Sequence, residues 1–148
     1  MSNTTARQVH LLNRPSGMPK VEDFTIVETK LPDLKDGEVL VQNHYMSVDP
    51  YMRGRMRTEG VYAEPYKLNA PMWGGALGEI VESKDPNLKV GDKVINGGAW
   101  QDKHIAVGST VSKFTPFDES QMSLYLGTLG MPGLTAYVGL FKFGEPKA

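Results

Sequence analysis

Hydrophobic and polar positions alternate along the first third of the chain, and the alternation predicts strands over 9–12, 24–29 and 38–47. The breaks between them carry turn residues, Arg14-Pro15-Ser16-Gly17 and Pro32-Asp33-Leu34-Lys35-Asp36-Gly37. The third segment is the most regular, with Val39, Val41, Asn43 and Tyr45 on one face. A short helix is expected from Pro50, where Asp49 can cap the free backbone N–H groups and proline suits the first helical position. Residues 57–73 carry no period and read as an irregular loop. Strand-like pieces return at 76–83, 93–95, 103–107 and 110–113, with Val90-Gly91-Asp92-Lys93 as a tight turn. After Asp118-Glu119-Ser120 the period changes. Residues 123–126 suggest a helical turn, and 132–143 place Leu134, Val138 and Phe141 at helical spacing before Gly144 as a stop.

The pattern is therefore mainly β with short helices, and 148 residues at 40% hydrophobic content suffice to bury a core. Sixteen Lys and Arg against 17 Asp and Glu leave a net charge of −1, so no field favours nucleic acid or an anionic membrane. With no cysteine, disulfides and thiolate chemistry are excluded, and a reduced cytoplasmic setting is expected. No apolar run approaches the ~18 residues of a membrane span, and residues 1–7 lack a signal-peptide core. His10, His44 and His104 share no ligand or triad spacing.

Two strings are specific: Tyr45-Met46-Ser47-Val48-Asp49-Pro50-Tyr51-Met52-Arg53-Gly54-Arg55-Met56 and Leu129-Gly130-Met131-Pro132-Gly133-Leu134-Thr135-Ala136-Tyr137. With Gly78-Glu79-Ile80-Val81-Glu82-Ser83, Val90 to Val94 and Trp100-Gln101-Asp102, they resemble the zinc-independent medium-chain dehydrogenase/reductase family, in particular its NADPH-dependent alkenal, prostaglandin and curcumin reductases. The resemblance implies a GroES-like, partly open β-barrel catalytic domain over 9–130. It also implies a flexible N-terminus at 1–8, and a connecting helix and junction at 131–148. The Rossmann domain and the C-terminal strands of the family lie outside the chain, and no Gly-x-Gly-x-x-Gly stands between a strand and a helix here. The expected protein is thus an N-terminal portion, inactive alone, of an enzyme that reduces the C=C bond of enones and enals with NADP(H). The family further implies a homodimer for the full enzyme and a monomer for this chain. Zinc-dependent relatives place a Cys near Met46 or Ser47 and a Gly-His-Glu motif near Gly74-Gly75-Ala76, so no zinc site is expected.

Reducing an enone requires a hydride at the β-carbon, stabilisation of the enolate oxygen and a proton at the α-carbon. Without a Lewis acid the oxygen must meet hydroxyl or backbone donors, and a phenol with a pKa near ~10 donates while staying protonated. The matching family tyrosine lines the substrate cleft, which makes Tyr51 the first catalytic candidate and Tyr62 the second. Read from the residues alone, each is a packed interfacial aromatic with its hydroxyl on water or backbone. Met131 and Thr135 match family positions that approach the nicotinamide, or else they serve interdomain packing. Arg53, Arg55 and Arg57 read as a solvated face, or else as an attractor for cofactor phosphate or an acidic substrate, with Arg53 able to brace the loop. Trp73 and Trp100 read as core aromatics beside glycine turns, or else as walls of the substrate cleft. The same residues admit two other readings, a quinone oxidoreductase of the same superfamily and a non-catalytic GroES-like binding module.

Overall fold

A computed structural model of the chain describes residues 4–59 and 63–147. It divides into two compact units, Met1–Phe114 and Thr115–Ala148.

The first unit is antiparallel β. Strands β1 (Thr5–Leu11) and β2 (Phe24–Lys30) form a two-stranded sheet. Strands β3 (Glu38–Met46), β4 (Ala76–Ser83), β5 (Lys93–Asn96), β6 (Lys103–Val107) and β7 (Ser112–Lys113) form a five-stranded sheet in the order β6-β3-β4-β5-β7. The first strand begins at Thr5, inside the segment expected to be flexible. Ala6 and Gln8 turn inward there while Thr5 and Arg7 face out, and β1 pairs with β2 from Thr5↔Lys30 to Leu11↔Phe24.

Strand β3 is an interior strand of the larger sheet, pairing with β4 on one side and with the edge strand β6 on the other. Its expected alternation holds for Val39 and Val41, which join Ile80, Leu88 and Val94 in one core cluster. Each fully buried aliphatic side chain there contributes about 1.5–3 kcal/mol. Register shifts at Leu40/Val41 and Asn43/Tyr45 then break the period, so Leu40 is buried as well and Tyr45 is 41% exposed. Extra residues of this kind rotate the strand end and redirect its side chains.

A second core cluster, Leu11, Met52, Met56, Tyr66 and Met72, lies under helix α1 (Pro50–Arg55), with Tyr51 and Trp100 packed against it. The spacing of Met52 and Arg55 by three residues puts both on the buried face of that helix.

In the second unit a 3-10 helix (Glu119–Leu126), opened by Asp118 accepting from the Ser120 N–H, precedes helix α2 (Met131–Val138). The expected single helix over 132–143 changes at Gly139 into a wider π-type turn, Gly139–Phe143. Among the described residues no single helix is long and apolar enough to cross a membrane.

Candidate active site

Helix α1 carries the first catalytic candidate. Asp49 precedes it, but its side chain does not cap the helix. Instead its carboxylate accepts from Ser47 Oγ at 2.6 Å, and the helix starts on the backbone bond from Met52 N–H to the Asp49 carbonyl at 3.0 Å. Pro50 at the first position then aims Tyr51 toward the core cluster, where its phenol is half-buried. The Tyr51 hydroxyl lies over Gly74. A Cβ at that position would sit 3.0 Å from the hydroxyl and 2.5 Å from the Met52 methyl, so only glycine leaves room for both. Tyr62, the second candidate, lies outside the described residues.

The arginine cluster is not a solvated face. Arg57 is exposed, but Arg53 donates to the carbonyls of Pro15 and Gly17, bracing the loop after β1, and Arg55 is 2% exposed. The Arg55 guanidinium carbon sits 3.6 Å over the Trp73 ring and 4.4 Å over the Tyr66 ring, and its Nε donates to the Glu64 carbonyl at 2.8 Å. Its Nη2 is buried without a hydrogen-bond partner. Two aromatic faces thus receive a charge that burial would otherwise penalise. Tyr66 donates its hydroxyl to the Trp73 carbonyl at 2.8 Å, and its ring meets Trp73 edge-on at 86°. Burial, reinforced by Tyr51 and opposed by the Arg55 charge, pushes its pKa up to about 12, so it is protonated at neutral pH.

Trp73 itself is 51% exposed, contrary to the expected core role, while Trp100 is half-buried with its indole nitrogen inside. Arg14, which the sequence reading passed over as a turn residue, ties this region to the strand end by donating to the Met56 and Tyr66 carbonyls at 3.0 and 2.9 Å.

Asn43 holds the facing loop. Its amide donates to the carbonyls of Gly98 and Gln101 at 2.7 and 2.9 Å and accepts from Asn96 at 3.0 Å. Gly98 is pressed against the ring of His104, a buried imidazole whose pKa burial lowers to about 4. The missing side chain of Gly98 therefore serves packing against that ring.

Within the second unit, Met131 and Thr135 stand one turn apart on α2. Thr135 Oγ1 donates to the Met131 carbonyl at 2.8 Å and lies 3.7 Å from its sulfur, and the Met131 side chain is 68% exposed. Gly133 is crowded by the backbone of Thr128, so its missing side chain serves its own chain rather than the approach of an outside group.

For zinc the donors do not fit. Met46 and Ser47 offer a thioether and a hydroxyl, Gly74-Gly75-Ala76 offers no side-chain donor, and no three His, Asp or Glu side chains converge among the described residues.

Residues 7–114 match the family described as the N-terminal domain of oxidoreductase. The chain is 41% identical to the NADPH-dependent curcumin reductase of Escherichia coli over 137 residues, 93% of this chain and 39% of that protein. It is 38% identical to the NADP-dependent 2-alkenal reductase of Nicotiana tabacum over 147 residues, 95% of this chain and 42% of that protein. CurA from Vibrio vulnificus, solved in complex with NADPH, superposes with a TM-score of 0.86 at 38% identity, covering 95% of this chain and 42% of that one. The chain spans roughly two fifths of the length of these relatives. A mainly β unit of this topology, matched over 7–114 and at this identity, belongs to the zinc-independent medium-chain dehydrogenase/reductase family through its N-terminal oxidoreductase domain.

Proposed function

We propose that this chain is the catalytic-domain portion of an NADPH-dependent reductase that saturates the C=C bond of α,β-unsaturated ketones and aldehydes. The observation that carries the reading is the Tyr51 hydroxyl, held over Gly74 by a proline-started helix, in a chain 41% identical to a curcumin reductase. When bound, NADPH supplies the hydride for the β-carbon. Tyr51 donates a hydrogen bond to the substrate oxygen as enolate charge develops there, which is where a fixed donor lowers the barrier most. Tyr62 is the second candidate for that duty. Tyr66 is not, because it is buried at 2% exposure and out of reach of a substrate.

Met131 and Thr135 would face the nicotinamide. An exposed thioether adapts to a flat ring, and the Thr135 hydroxyl, with its proton on the Met131 carbonyl, retains an acceptor lone pair for a carboxamide N–H. In this reading the enzyme works in the cytoplasm as a homodimer and without zinc, while this chain alone is a monomer. The cysteine-free composition and the family resemblance support that setting.

The test is enone-dependent NADPH oxidation by this chain alone and by a chimera in which the Escherichia coli curcumin reductase supplies the residues beyond the matched segment. Activity is expected in the chimera only, and Tyr51→Phe is expected to lower kcat by about 10²- to 10³-fold with KM little changed. Unchanged turnover in Tyr51→Phe would remove Tyr51 from the mechanism. A chimera that reduces quinones but no enone would overturn the reductase reading.

A further inference from the structure

We propose that the half-exposed indole of Trp73, clasped by Arg55, is a stacking platform that selects substrates with a flat, extended conjugated system. The proposal rests on the reductase reading and names a specificity determinant for it.

Trp73 sits between two buried residues, Met72 and Gly74, yet half of its own surface faces outward. An exposed aromatic side chain is ordinarily free to move, whereas this one is held three ways. The Arg55 guanidinium lies 3.6 Å over one face, the Tyr66 ring meets it edge-on, and its carbonyl accepts the Tyr66 hydroxyl at 2.8 Å. Arg55 is itself fixed, with Nε on the Glu64 carbonyl and the Tyr66 ring 4.4 Å from the guanidinium carbon. A rigid aromatic presents contact area with little entropy left to lose on binding, so the arrangement favours a ligand that lies flat against it.

The indole bounds a cavity of about 220 Å³ together with Pro65, Ala70 and Pro71, with Glu64 and Lys67 also lining it. Arg55 lines no part of that cavity. Two prolines, an alanine and a locked indole make its stiff apolar part, and Glu64 and Lys67 make the rest of the lining polar, the Lys67 ammonium offering donors for an oxygen. That chemistry suits a planar conjugated carbonyl compound and discriminates against a puckered saturated one, which touches a flat wall through fewer atoms. Gly74, over which the Tyr51 hydroxyl lies, is the next residue along the chain, and neither it nor Tyr51 lines the cavity.

The experiment uses this chain, with binding followed by saturation-transfer NMR and calorimetry. The probes are benzylideneacetone, which is planar and conjugated throughout, and cyclohexylbutanone, the same skeleton fully saturated. Trp73→Leu removes the flat face and Trp73→Phe keeps a smaller one, with near-UV circular dichroism reporting whether each variant is folded. Benzylideneacetone should bind Trp73→Leu about tenfold more weakly than the parent, with Trp73→Phe in between, while cyclohexylbutanone changes by less than about twofold. Equal losses for both probes, unchanged affinity for benzylideneacetone, or no binding of it by the parent would each overturn the platform. No arm involves NADPH, so failure here is distinct from failure of the nicotinamide test.

Discussion

Among the described residues between Pro50 and Gly74, Arg53, Arg55 and Tyr66 are each fixed by partners at least seven residues away in sequence. Arg55 lies between two rings, Tyr66 on the Trp73 carbonyl, and Arg53 on the loop at Pro15 and Gly17. Between Met131 and Phe143 side chains meet near neighbours on the same helix. Tyr137 and Phe141 stack at 4.8 Å along one face, Thr135 bonds back to Met131, and Leu134, Leu140 and Phe141 are more than half exposed. Both regions are rich in apolar and aromatic residues, but the first sets its geometry by itself, whereas the second presents apolar area of the kind proteins cover. The proposed chemistry follows this division, with a preset donor in one region and an adaptable thioether in the other.

The sharpest way to break the contrast is Arg55→Ala, which empties the space between Tyr66 and Trp73 and should cost about 4 kcal/mol in urea unfolding. Next comes acid. His104 titrates at about 4 in the folded chain because it is buried, below its ordinary 6.5. The unfolded chain therefore takes up a proton first as pH falls. Stability should be full above pH 6.5 and should drop by about 3 kcal/mol on the way to pH 4, a slope that His104→Gln flattens in pH-resolved melts. Ser47→Ala, which removes the donor to Asp49 at the entry to α1, should cost about 1 kcal/mol by the same unfolding assay. On the open helix, Leu134→Ser and Phe141→Ser should each shift global stability by less than about 0.5 kcal/mol. A larger loss would show that those side chains are covered within this chain and would dissolve the comparison.

Period-two patterning and turn residues make much of the sheet legible: β4 and β6 occupy the expected 76–83 and 103–107. The start of β1 was hidden because Ala6 and Gln8, its inward residues, carry almost no hydrophobic signal. The β3 bulges were hidden because alternation has no marker for an inserted residue. At the site, the position of Tyr51 on a proline-started helix was readable. The burial of Arg55 was not, because a guanidinium enters a core only when two rings from a loop without period close around it. Asn43 and Arg14 gave no signal for a similar reason: their partners are backbone carbonyls 42 to 58 residues away.

The indole clasped by Arg55 also makes the molecule its own optical gauge. Of its two tryptophans, Trp100 is half-buried beside the core and Trp73 is half in solvent with a cation on its face, so their emissions differ in colour and in quenching. Any event that lifts the 63–73 segment off helix α1 separates that cation from that ring, and the change is readable as fluorescence without a label.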